Sequence, residues 1–171
     1  MDRERWCSAV VVALCFCWSS GEAFAARNWQ SLRGLGGMQV VIGDLNPEAV
    51  QDGLSTGLLQ ADVVRSLMGA GVNVLAREER LQTPGAPWLY VSVATVRTKL
   101  GSHVYSVSVA LFQGALLDSN GVSTSVQTWE RGSFGMTRSQ DLRRIRQTVG
   151  DLVGVFIKDY LAMNQESSDS F

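Results

Sequence analysis

The sequence predicts an α+β fold: a two-layer sandwich with element order β-α-β-β-β-β-α. Three observations predict it. Segments 56–69 and 139–161 carry apolar residues at helical spacing. Residues 88–111 alternate around a tight turn at Lys99–Ser102, the pattern of a β-hairpin. Residues 122–134 continue the alternation after a second turn at Asp118–Gly121. The three last strands form an antiparallel meander. An earlier β-α-β unit adds a parallel pair through a right-handed crossover. Two helices on one face of this mixed sheet complete the sandwich.

The first strand is read at Met38–Ile42, a short β-branched run after the Gly34-Leu35-Gly36-Gly37 entry. Residues 44–53 form a loop rich in Asp, Asn, Pro and Gly. Ser55 caps a helix over 56–69, with Leu59, Val63 and Leu67 on its apolar face. Gly71 supplies the left-handed residue that ends it. Val72–Leu75 is read as the second strand and 76–87 as a charged, turn-rich connection. In the hairpin, Leu89, Val91 and Val93 share a face with Tyr105, Val107, Val109 and Leu111. The last helix is capped by Ser139, carries Asp141 in its first turn, and has Leu142, Ile145, Val149, Leu152, Val153, Phe156, Ile157, Tyr160 and Leu161 at helical spacing.

Residues 6–18, WCSAVVVALCFCW, form an apolar run of signal-peptide length. Arg3 and Arg5 precede it, offset by Asp2 and Glu4. Ala23-Phe24-Ala25 offers small residues at the two positions a signal peptidase accepts, which predicts cleavage after Ala25. The domain division that follows is a signal peptide at 1–25, one α+β domain at 26–164 and a polar tail at 165–171. The implied location is periplasmic or secreted, with membrane contact only through the leader before its removal. Leu14 before Cys15 and Phe16 before Cys17 do not fit a lipid-modification site.

Cys7, Cys15 and Cys17 all lie in the leader. The processed chain is then expected to have no disulfide, thiolate metal site or cysteine nucleophile. Hydrophobic residues at 46% and charged residues at 18% fit a chain stabilised by a buried core. A formal net charge of −1 leaves no basic surplus to neutralise a phosphate backbone, so no nucleic-acid partner is expected.

Catalytic constellations are not legible. His103 is read as a solvated histidine at a strand edge, with no nucleophile or orienting acid beside it. The glycine run precedes a strand rather than opening a helix, so it does not read as a phosphate loop. Asp44, Glu48 and Asp52 lack the alternate ligand spacing of a calcium loop. Neither Glu78 with Glu79 nor Glu130 with Asp118 has a reason to converge as an acid–base pair. Arg143, Arg144 and Arg146 read as a solvated helix face. No catalytic residue, cofactor or metal is expected.

The sheet face away from the helices is the more informative surface. It carries Trp88, Tyr90, Ser92, Ser106 and Ser108, with Trp129 assigned to the same face. Aromatic anchors among small polar residues have the composition of a contact surface. The partner is expected to be an envelope protein or a second copy of this chain.

The segments LRGLGGMQVVIGDLNPEAVQDGL and LQADVVRSLMGAGVNVLAREERLQTPGAPWLYVSV resemble an uncharacterised family of bacterial exported proteins. In topology the chain is similar to α+β domains of envelope proteins. Examples are the N-terminal domain of the Tol-system translocation protein and the curli-secretion channel lipoprotein. The resemblance implies a role in envelope assembly without a catalytic site. The expected function is a non-enzymatic exported interaction or accessory module. The alternative is a carrier holding a small ligand between the sheet and the first helix.

Overall fold

A computed structural model describes residues 30–165. The predicted leader at 1–25 and the tail beyond Gln165 lie outside the described residues. A single 3-10 turn at Gln30–Leu32 leads into β1, Gln39–Ile42. Two helices follow, α1 at Pro47–Gln51 and α2 at Thr56–Gly69, and then a short α3 at Arg77–Gln82. The meander is β2 (Trp88–Arg97), β3 (Ser102–Leu116) and β4 (Ser123–Arg138), and α4 spans Arg143–Gln165. The strand order is β1-β2-β3-β4, with β1 parallel to β2 and the other pairs antiparallel. This is the α+β two-layer arrangement read from the sequence.

The crossover differs from expectation. Val72–Leu75 is not a strand. It makes one isolated bridge, Val74 to Met38, just before β1. The parallel partner of β1 is instead β2, with Val40 opposite Leu89 and Ile42 opposite Val91. Residues 76–87 contain α3 rather than only turns, because Glu79 reaches back to the Ala76 amide at 2.7 Å and closes the first turn. The 44–53 loop holds α1, started by Pro47 and by Asn46, whose side chain accepts the Glu48 amide at 2.9 Å.

Helix α2 follows the sequence closely. Ser55 accepts the Leu58 amide, and Leu59, Val63 and Leu67 are buried. Gly71 adopts φ +78°. Its amide donates to Met68 O, and the Val72 amide donates to Leu67 O, each at 3.0 Å. Those two bonds satisfy carbonyls the helix leaves open, and Val72 packs into the core beside Leu67.

The core lies between the sheet and the α2–α4 layer. Leu89, Val91, Val93, Val107, Val109 and Leu111 from the sheet meet Ile145, Val149, Val153 and Phe156 from α4. Arg146 donates Nε and Nη2 to Asp62 Oδ2, at 3.0 and 2.6 Å, and ties the two helices together. The basic patch on the last helix is therefore not wholly solvated. Ser139 does not cap α4. Its hydroxyl donates to Gly101 O at 2.9 Å, and the helix begins at Arg143. At the far end of α4, Tyr160 donates to Leu35 O and Asn164 to Leu32 O, fastening the entry segment onto the helix.

Candidate functional site

Alternation along the strands sends every second side chain away from the helices. Cross-strand register sorts these outward residues into rows. At one end of the sheet lie Trp88 and Phe112, opposite each other on β2 and β3, with Tyr90 opposite Ala110 in the next row. Ser92 and Ser108 face Gly132 in the middle. Ala94, Ser106 and Phe134 come next, and then Val96, Val104 and Met136.

The aromatic end is ordered by ring contacts. Trp88 stacks on Phe112 with centroids 5.2 Å apart and planes 9° from parallel. Tyr90 meets Phe112 edge-on at 6.4 Å. The Arg80 guanidinium of α3 lies 5.0 Å from the Trp88 ring centroid and donates to Ala86 O. Tyr90 lies so close to Gly43 that a Cβ there would collide with its hydroxyl. These contacts leave Trp88, Tyr90 and Phe112 half-buried.

The opposite end is bare. Phe134 is 87% exposed, Val96 68%, Met136 62% and Val104 47%. Among the described residues no helix packs over these four side chains. These four residues are neighbours on one sheet face, unlike the scattered single apolar residues normal for a protein exterior.

Of the residues assigned to this face, Trp88, Tyr90, Ser92, Ser106 and Ser108 lie on it. Trp129 does not. It sits opposite Leu111 on the helix side, 1% exposed, with its ring 5.0 Å from Phe156. The physical reason is strand phase. Register shifts between Leu111 and Phe112, so that Thr128 is an extra residue in β4. Thr128 is held by Gln113, whose Nε2 donates to its hydroxyl at 2.7 Å and to Ser31 O at 3.0 Å. Beyond the bulge the odd positions of β4 face the core. Phe112, Phe134 and Met136 are members of the outer face that the sequence reading missed. Phe134 and Met136 are in even phase, opposite to Trp129; the spacing separates the two sets without saying which of them faces the helices.

His103 is likewise not solvated. It is fully buried, and its Nε2 lies 2.7 Å from Asp52 Oδ2. A carboxylate only accepts, so Nε2 carries the hydrogen. That hydrogen bond is the largest cause holding the Asp52 carboxyl below its ordinary value of 3.8. Partial burial opposes it, while Ser139 and Arg97 act in the same direction as His103. Arg97 Nη1 stands 3.9 Å from the same oxygen. His103 Nδ1 is enclosed and has no hydrogen-bond partner. The group joins the end of α1 to β3, and among the described residues no hydroxyl or thiol is hydrogen-bonded to Nδ1 to be activated by it.

Asp52 is committed to His103, so it does not join Asp44 and Glu48 as a ligand set. No group of three or more His, Cys, Asp or Glu among the described residues is arranged to hold a metal ion. No helix among them is long and apolar enough to cross a membrane.

No protein-family model matches the chain, and no curated protein matches it. Among solved structures it is similar to a minor lipoprotein from Acinetobacter baumannii, at 14% identity, over 72% of this chain and 92% of that one, with a TM-score of 0.32. A superposition at that level carries no argument about function.

Proposed function

We propose that this chain is a non-enzymatic, exported accessory module of the bacterial envelope that works by binding a protein partner through the uncovered face of its sheet. The observation that supports the binding surface is the cluster of exposed Val96, Val104, Met136 and Phe134 at the end of the sheet opposite the ordered Trp88–Phe112 stack. Apolar and aromatic groups of this kind supply most of the binding energy at protein interfaces. The export reading rests on the apolar run at 6–18 and the Ala23-Phe24-Ala25 site in the sequence.

The carrier alternative has less support. Leu59, Val63 and Leu67 of α2 are buried in the core and fill the space between that helix and the sheet that a ligand would need.

A photocrosslinking residue at position 134, and separately at position 68, tests the contact surface in intact cells. Met68 is an exposed apolar residue on α2, on the opposite side of the molecule, and serves as the control. The expected result is discrete protein adducts from position 134 and none from position 68. Equal labelling from both positions would overturn the reading. Intact mass of the exported protein tests the leader, with a start at Ala26 expected.

A further inference from the structure

The two edges of the sheet differ. β1 is four residues long, and Asn73–Leu75 hydrogen-bonds beside its start through Met38. β4 has 16 residues and among the described residues pairs only with β3. Natural edge strands are blunted by proline, lysine or bulges. β4 contains no proline and no lysine. Its one bulge, at Thr128, leaves residues 129–138 as an uninterrupted ladder.

Hydrogen-bond phase identifies what that edge presents. The Thr98 amide donates to Ser102 O at 2.7 Å, so Ser102 directs its backbone groups toward β2. Ser102 is opposite Arg138. Backbone groups alternate in direction along an antiparallel strand. The N–H and C=O groups of Glu130, Gly132, Phe134, Met136 and Arg138 therefore point away from β3, onto the open edge. The Arg138 carbonyl takes the Asp141 amide, and the Glu130 carbonyl takes Arg131 Nη1 at 3.1 Å while keeping a second lone pair. Among the described residues the other backbone groups of these five have no backbone partner across the edge.

Resting on the reading of the outer face as a contact surface, we propose that its partner is a second copy of this chain, joined antiparallel along β4 with the two-fold axis at Phe134. This register has a specific consequence. Phe134 meets Phe134 of the second copy, Gly132 meets Met136, and Glu130 meets Arg138 at both ends of the ladder. A shift of two residues one way sets Glu130 opposite Met136, and the other way sets it opposite Gln140, past the end of β4, with Arg138 opposite Gly132. Charge complementarity therefore selects the register, as opposite charges in directly facing positions stabilise a strand pair and like charges oppose it. The same contact covers the most exposed large ring of the outer face and turns two open edges into one continuous sheet.

Charge reversal with light scattering tests this on the full-length chain as it is purified. Wild type is expected to be a dimer at micromolar concentration. Glu130→Arg alone, and Arg138→Glu alone, place like charges opposite each other twice and weaken the dimer about tenfold or more. An equimolar mixture of the two single variants, and the double variant Glu130→Arg with Arg138→Glu, both restore complementary pairs and recover the dimer. Met136→Pro removes an edge N–H that β3 does not use, so it is expected to keep the circular dichroism of the wild type and lose the dimer.

A monomer at every concentration overturns the proposal. So does a dimer indifferent to all these variants, or one weakened by each single change but not recovered in the mixture. Protein adducts from position 134 in cells, with a monomer in solution, leave the contact surface standing and remove only this partner.

Discussion

The indole Nε1 of Trp129 donates to Asp159 Oδ2 at 3.0 Å inside the layer between β4 and α4. Trp129 packs edge-on against Phe156, while Arg131 lies 5.6 Å from its ring centroid and 3.8 Å from the same Asp159 oxygen. One ring therefore fills core volume and supplies a hydrogen to a nearly buried carboxylate. Trp129→Phe removes both the donor and part of the volume. Leaving a buried charged acceptor short of a donor costs about 1–3 kcal/mol, and the cavity adds to it. Urea denaturation is expected to show a loss of roughly 2–4 kcal/mol. A change below the resolution of the measurement would show that Arg131 alone satisfies Asp159.

Asp52 gives the fold a pH dependence of defined sign. Its carboxyl is held below the ordinary value of 3.8, first by the hydrogen bond from His103. A depressed folded-state value means that the folded state binds the proton less readily than the unfolded chain. The stabilisation is complete above the unfolded value and disappears as pH falls through the folded one. Denaturant midpoints measured downward from neutral pH are expected to fall more steeply below about pH 4 in wild type than in Asp52→Asn. Parallel acid limbs for the two proteins would count against a stabilising role for this carboxylate.

Glycines in α4 and after α2 respond in opposite ways to alanine. Gly150 and Gly154 are exposed within α4, and a Cβ at either would meet nothing within 4 Å. Each change to Ala is expected to raise stability by about 0.5–1 kcal/mol, because glycine loses more backbone freedom in a helix. Gly71 also has open space around it, but its φ of +78° is costly for an L side chain. Gly71→Ala is expected to lower stability by about 1–2 kcal/mol. Thermal midpoints of the three variants separate free space from backbone conformation.

The two faces of the sheet are expected to differ sharply in what they contribute to folding. Phe134→Ser on the exposed face is expected to change monomer stability by no more than about 0.5 kcal/mol. Leu111→Ala, on the buried face, is expected to cost about 2–5 kcal/mol. Denaturation under conditions where the protein is monomeric makes the comparison. A large loss in Phe134→Ser would show that the outer face is part of the core rather than free for a partner.

Period and capping made much of this fold legible in advance. The i, i+4 spacing of Leu59, Val63 and Leu67, with Ser55 before and Gly71 after, located α2 to the residue. The hairpin of β2 and β3 followed from strict alternation around Gly101. Even the burial of His103 was present in the spacing, since it is in phase with Tyr105, Val107 and Val109. Histidine's polarity argued for water and was overruled by that phase, because Asp52 arrives from α1 to meet the ring.

The sequence by itself determined the fold class, the two long helices, the meander, and the outward phase of Trp88, Tyr90, Ser92, Ser106 and Ser108. These depend on local periodicity, which each segment carries within itself. Tertiary structure alone decided which strand pairs with β1, why Val72–Leu75 stays outside the sheet, and which side Trp129 faces. Each of those depends on competition between distant segments. β2 pairs with β1 over four residues and with β3 over ten, so it is held in the sheet on both sides, whereas Val72–Leu75 meets only Met38 through a single bridge. One extra residue at Thr128, invisible to a count of alternation, places the indole of Trp129 in the core against Asp159 of α4.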